Sequence, residues 1–454
     1  MSFRTFVTQK VGVDKAILYT LLSHGLQIST ALFTIFFIAK NLSAEEQGFY
    51  YTFGSITALQ VFFELGMTYI VTQFVAHDVS HLNFNEKYKL IGEKKYRSRL
   101  SSLLHFCFKW YLIFAGFILI MLFVGGVLFF RRYNTEHQSV EWFFPWLLLA
   151  VGTSLNFLAA PILSFIEGLG KVKEVAKIRF IQEFFHPIIV WVGLSIGSKL
   201  YVSGADAIIR IVVVFVIIFK TPFFRILKNI WDDAGEEKVS YMEEIFPLQW
   251  KIAVSWISGY FIFQIFNPVL FAVDGPKVAG QMGMTLAALN GIQALAQSWI
   301  NTKVPKMSGF IAQKDFKSLD QLFDKTFKQM VTIGTMALIC FVVVIYAIQS
   351  TKFSFLGIDV GDRFIPIIPL LLISVALWTL LPISAWALYL RCHKQEPMLV
   401  YQIFAGISCG VSAVVLGNLY GLYGMVIGFA IIRIVSIIWV YNIFRTKKKE
   451  WHEK

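Results

Sequence analysis

Residues able to hold a proton, an anion or a hydroxyl stand inside stretches of this 454-residue chain that are otherwise hydrocarbon. Glu64 interrupts FFELGMTYIV, Lys109 interrupts FCFKWYLIF, Arg210 interrupts AIIRIVVVFV, and Arg433 interrupts GFAIIRIVSIIW. Amides join them. Gln27 follows His24 by about one helical turn, Gln264 and Asn267 precede Pro268, and Asn290, Gln293, Gln297 and Asn301 recur at 3, 4 and 4 residues. That last spacing places four amides along one helix face. A guanidinium is a permanently charged bidentate donor suited to phosphate, and carboxamides suit hydroxyl groups. A carboxylate in such a setting takes up a proton or cation, or pairs with a base. Ionisable groups within a bilayer face the protein interior or a wet path, and are functional candidates by default.

The elements that carry these groups follow from composition. The chain is 57% hydrophobic, 16% aromatic and only 15% charged, where soluble domains carry about a quarter charged residues. Apolar runs of about 20 residues suffice to cross a hydrocarbon core of roughly 30 Å. Twelve are expected, near 16–39, 49–76, 102–130, 142–166, 178–197, 204–220, 249–273, 278–302, 329–350, 363–390, 398–417 and 421–444. The fold class is all-α and polytopic. The first run is too long for a cleaved signal and lacks a small-x-small site, so it is expected to remain as a span.

Alternate connections differ sharply in basic residues. The connections on the side of both termini hold 31 of the 41 Lys and Arg, the opposite connections hold 7, and 3 lie within spans. The positive-inside rule then puts both termini in the cytoplasm. The net charge of +13 is spread along that side as topology, which removes the nucleic-acid reading. By about 1.5 Å per residue, Glu64 lies roughly 16 Å from the inner end of the second span, Gln27 at a similar depth, and Arg433 near the middle of the last. Glu64 reads three ways: paired with Lys109, coupling a proton or cation, or touching a substrate. His24 reads equally as a satisfied interior imidazole or a cavity group, and Arg210, nearer the outer surface, as packed or as an anion partner.

Four cysteines form no metal-ligand or redox cluster, and HExxH, GxSxG and a P-loop are absent; GLGKVKEV lacks the spacing and the Ser/Thr. The expectation is a non-enzyme without metal or cofactor. The connection KTPFFRILKNIWDDAGEEKVSYMEEIFPLQW sets Phe223, Phe224, Leu227, Ile230 and Trp231 at helical spacing with Arg225 and Lys228 between. That pattern suits a helix lying in the interface, or one packed on the protein's own inner face. The expected organisation is a six-helix bundle over 1–220, an amphipathic linker over 221–248, a second six-helix bundle over 249–444, and a basic tail over 445–454. The two halves share a small polar outer turn, a glycine (Gly48, Gly280) and a long helix running to a basic loop. Such parallel repeats place a cavity between the halves.

LSAEEQGFYYTF…FELGMTYIVTQFVAH, VSWISGYFIFQIFNPVLF, AGQMGMTLAALNGIQALAQSWINTKVPKMSGFIAQKDFKSLDQLF and GLYGMVIGFAIIRI carry a resemblance that covers nearly the whole chain. It is to the polysaccharide and O-antigen flippases of the multidrug/oligosaccharidyl-lipid/polysaccharide (MOP) exporter superfamily. The resemblance implies two bundles splayed in a V about a central cavity, in a bacterial plasma membrane. It implies a flippase carrying a lipid-linked oligosaccharide of polyprenyl pyrophosphate type to the outer leaflet by alternating access, ion-coupled or not, alongside glycan-assembly partners. Family members often carry arginine where this chain has Gln73, so no basic cavity role is carried to that position. An acidic residue before Leu-Gly is similar to a general family feature, which fits architecture or coupling. Rival readings are a drug or small-cation antiporter of the same superfamily and, more distantly, a membrane glycan polymerase or acyltransferase. On this reading Arg433 and Arg210 meet phosphate, while Gln27, His24, Gln264, Asn267, Asn290, Gln293, Gln297 and Asn301 line the path.

Overall fold

The computed structural model describes residues 15–85, 88–133, 140–233, 235–352, 354–355, 358–393, 395 and 397–452. These are almost wholly helical, with two short antiparallel hairpins. Helix α1 is Lys15–Asn41, and the second predicted span is divided into α2 (Ala44–Thr57), α3 (Val61–Glu64) and α4 (Met67–Val79). Then come α5 (Lys94–Tyr133), α6 (Phe143–Gly168), α7 (Val172–Ser195) and α8 (Tyr201–Lys220). The mid-chain helix α9 is Phe223–Trp231, and a π-helical turn at Tyr241–Ile245 leads into α10 (Phe246–Phe263) and α11 (Phe266–Val273). Next are α12 (Gly275–Asn301), α13 (Val304–Ala312) and α14 (Phe316–Thr351). The tenth predicted span holds α15 (Ile367–Trp378) and α16 (Leu380–Cys392), and α17 (Leu399–His452) holds the last two, turning at Gly421 with φ 57° and ψ −142°.

Every predicted span is thus helix. Among the described residues six helices are long and apolar enough to cross a membrane, and up to eight spans result if each of two bent pairs counts as one. The chain is a multi-pass membrane protein. Both bent pairs, Ala44–Glu64 with Met67–Val79 and Tyr241–Phe263 with Phe266–Val273, turn by 42°. Their causes differ. At the first, Leu65 (φ 51°) and Gly66 (φ 70°) are both left-handed and stop the i→i−4 ladder. At the second, Pro268 has no N–H to give the carbonyl four residues back, that of Gln264, and its ring crowds it. Pro382 acts likewise on Trp378 between α15 and α16.

The chain forms two compact units. The first comprises residues up to Thr30, Thr57–Arg132 and Glu141–Trp256; the second comprises Ala31–Ile56, Tyr133–Val140 and Ile257–Lys454. The division therefore passes through α1, α2 and α10, and sets off the last residue of α5. In the first unit Trp146 is fully buried, packs on Phe130, and gives its indole N–H to the Leu122 carbonyl at 2.9 Å. In the second, Phe49 meets Phe271 edge-on at 4.9 Å and Phe266 meets Phe429 at 4.9 Å. There the two glycines of the sequence repeats face each other. A methyl group on Gly280 would lie 2.7 Å from the Gly48 nitrogen, and one on Gly48 would strike the Pro276 carbonyl. Only glycine permits that approach of backbones.

The mid-chain connection belongs to the first unit. In α9, Phe223, Ile226 and Ile230 are buried, while Phe224, Arg225 and Lys228 are exposed. Trp231 lies over His105 at 3.7 Å and edge-on to Phe108. The helix is therefore packed on the unit's own surface while keeping an exposed aromatic and basic edge. Downstream, Glu244 takes two hydrogen bonds from Arg99, the shorter 2.6 Å, and Arg99 also reaches Asp78 at 3.3 Å.

Candidate functional site

Glu64 sits at the break in the second span with 9% of its surface exposed. One carboxylate oxygen accepts the Thr68 N–H at 2.9 Å and the Thr68 hydroxyl at 2.6 Å; the other accepts the Gly66 N–H at 3.1 Å. These are the donors that a new helix start leaves without partners, and a negative charge there also suits the helix dipole. The pairing with Lys109 is not formed. Among the described residues no ion pair joins the two, and Lys109 is exposed on α5. The left-handed pair Leu65–Gly66 creates amide donors nearer than any lysine, and the carboxylate goes to them.

The kink of the seventh span brings its two amides to one hydroxyl. Asn267 donates to Ser55 Oγ at 3.0 Å, and Ser55 donates to Gln264 Oε1 at 3.4 Å, so α2 and α11 are tied across the break in α10–α11. The Asn267 side-chain oxygen Oδ1 is buried without a donor. The stripe on α12 divides. Gln293 is buried and donates to the Leu377 carbonyl beside the α15–α16 break, leaving its own Oε1 unsatisfied. Asn290 and Asn301 are exposed and Gln297 half-buried, none with a side-chain hydrogen bond among the described residues. Gln27 on α1 is exposed in the same way, and the His24 side chain lies outside the described residues.

Arg433 is the most unusual group in the second unit. It is 2% exposed, and its Nη1 donates to the Tyr401 hydroxyl at 2.9 Å. Its Nε and Nη2 have no acceptor, and no carboxylate among the described residues pairs with it. A buried cation without a counter-ion carries a desolvation cost of several kcal/mol. Tyr401, on the first half of α17, is the partner that sequence reasoning missed; no spacing rule links it to position 433.

Arg210 has the opposite surroundings. Its Nη1 meets Glu183 at 2.9 Å and its Nε meets Asp206 at 3.0 Å, while the other Asp206 oxygen lies 3.0 Å from His186 Nδ1. Gln182 donates to the Arg210 carbonyl at 2.9 Å. The phosphate role expected of Arg210 does not fit. Two carboxylates already occupy its fork, so an incoming anion would meet negative charge. The signals for this quartet were EFFH in α7 and DAIIR in α8, each placing its charged pair on one helix face. With a neutral imidazole the quartet carries one net negative charge; with imidazolium it carries none. Among the described residues no cluster of three His, Cys, Asp or Glu side chains is arranged to hold a metal ion.

No family model and no curated protein matches the sequence. Solved structures do. The chain is similar to an inward-facing multidrug resistance MATE family transporter of the MOP superfamily, with TM-score 0.66 and 14% identity over 99% of this chain and 98% of that one. It is similar to the lipid II flippase MurJ in an inward closed conformation, with TM-score 0.55 and 14% identity over 93% of this chain and 86% of that one. A third is a MOP superfamily transporter from Pyrococcus furiosus, described with reversed polarity of its binding pocket and a suggested different function. It gives TM-score 0.54 and 12% identity over 96% of this chain and 95% of that one. At these identities the likeness concerns the fold alone, which is similar to that of MOP superfamily transporters.

Proposed function

We propose that the chain is a transporter that moves a lipid-linked oligosaccharide across the membrane, receiving its phosphate groups at Arg433. The observation that carries this is the buried guanidinium whose Nε and Nη2 lack acceptors and with which no carboxylate among the described residues pairs. Phosphate oxygens supply what Arg433 lacks, in the fork geometry that arginine recognises. A carrier of organic cations gains nothing from such a group. The accessible amides Asn290, Gln297 and Asn301 of the second unit fit a wet path better than a lipid face, because a hydroxyl moved into hydrocarbon without partners costs roughly 4–8 kcal/mol. Twelve crossings, both termini in the cytoplasm and a bacterial plasma membrane complete this reading.

The test is complementation in cells lacking their own flippase. Arg433→Ala is expected to abolish surface glycan at normal membrane abundance, with Arg433→Lys retaining a fraction. Full export by Arg433→Ala would refute the assignment. A second reading, exchange of a small cation or drug for protons, is favoured by the surplus carboxylate of the Glu183–His186–Asp206–Arg210 quartet. It predicts dye efflux that collapses with the proton gradient and with Asp206→Asn, while Arg433→Ala leaves it intact.

A further inference from the structure

Beside α9, between α5, α6 and α8, the first unit contains a cavity of about 530 Å³. That is within the range of pockets that take small molecules, roughly 300–1,000 Å³. Its walls include Cys107, Tyr111, Pro161, Ile218, Leu227 and Trp231, and Lys228 is the one charged side chain among its lining residues. Cys107, Tyr111 and Ile218 are buried at its floor, while Phe108, Leu112, Phe219 and Phe224 are exposed around its mouth. An apolar cavity offers water too few hydrogen-bond partners to fill it well. Phe108, Leu112 and Phe219, exposed beside it, stand on α5 and α8, which are both long and apolar enough to cross a membrane.

We propose that this pocket holds an acyl tail of an anionic phospholipid from the cytoplasmic leaflet, with the Lys228 ammonium on the lipid phosphate. Three observations converge. The lining is almost wholly apolar, as an acyl chain requires. The sole lining charge is positive and sits on α9, a helix whose buried apolar face and exposed Arg225 and Lys228 suit the headgroup level. By the charge bias of the connections, this is also the leaflet where anionic lipids draw basic side chains. Zwitterionic lipids present the same tails but set a choline or amine charge against Lys228. The proposal is separate from the transport reading, since neither Lys228 nor the pocket contains a group assigned to the substrate.

The experiment uses the full chain in lipid nanodiscs doped with phosphatidylglycerol or phosphatidylcholine carrying the same diazirine-bearing tail, with cross-links mapped by mass spectrometry. Phosphatidylglycerol is expected to label residues 104–112 and 215–231 at least fivefold more than phosphatidylcholine. Lys228→Glu should erase that preference while leaving phosphatidylcholine labelling unchanged. Leu158→Trp, filling the pocket, should remove both, with unfolding temperature checked for each variant; Ile162→Trp serves if Leu158→Trp does not fold. Equal labelling by the two lipids, or a preference that survives Lys228→Glu, overturns the proposal. So does preferential displacement by a polyprenyl phosphate, which would make the occupant an isoprenoid lipid.

Discussion

Arg433 is held in a state that water would relieve, and this separates its function from stability. Replacing it by an apolar side chain of similar length removes a desolvated charge and leaves one lone acceptor, the Tyr401 hydroxyl. Arg433→Met is therefore expected to be neutral or to stabilise by about 1 kcal/mol, read as unfolding temperature in detergent, while glycan export is lost. A residue needed only for packing would lose both together. Glu64 behaves oppositely. Because its carboxylate accepts the first N–H groups of α4, Glu64→Ala should cost about 1 kcal/mol, like the loss of a helix cap, with Glu64→Gln costing less because an amide oxygen still accepts. Gly66→Ala should cost more than either. It forces a side chain into the left-handed region and into Ile252. The polar residues themselves were readable in the sequence, because each stands against hydrocarbon. Their partners were not. Glu64 satisfies its own helix break, Arg210 meets Glu183 of the neighbouring helix as well as Asp206 of its own, and Tyr401 lies 32 residues from Arg433. Only chain geometry decides such pairings.

The helices were legible as apolar runs, and Pro268 marked its own break. The left-handed turn at Leu65–Gly66 was hidden because leucine ordinarily favours helix. The mid-chain connection also announced α9 by its spacing but not the polar clasp beyond it. There the hydrogen bond from Arg99 holds the Glu244 carboxyl below the usual carboxylate range, and the same bond raises the Arg99 value. A carboxylate whose folded pKa lies below its unfolded one adds stability above the unfolded value, and loses it as pH falls through the folded one. Arg99 stays charged throughout that window. Unfolding temperature is thus expected to fall as pH drops below about 4, and Glu244→Gln should flatten the part of that fall owed to this pair. An unchanged slope in the variant would show that the clasp contributes nothing to acid stability.

Across the whole molecule, the bias of Lys and Arg is the strongest topological statement the sequence makes. A C-terminal green fluorescent protein fusion should glow and an alkaline phosphatase fusion at the same point should be inactive; the reverse would invert every connection. The division into two units was less legible, because hydropathy places residues across the bilayer and says nothing of which helices pack together. Residues 31–56 belong with the C-terminal segment for that reason. Among them is Gly48, which touches its counterpart Gly280 backbone to backbone. If the halves descend from one duplicated ancestor, that meeting has an evolutionary consequence. Duplicate copies normally drift apart because each can relax while the other serves. Here each copy is the other's obstacle, so the duplication doubled the constraint instead of loosening it. A library saturating both positions together should return the glycine pair and little else.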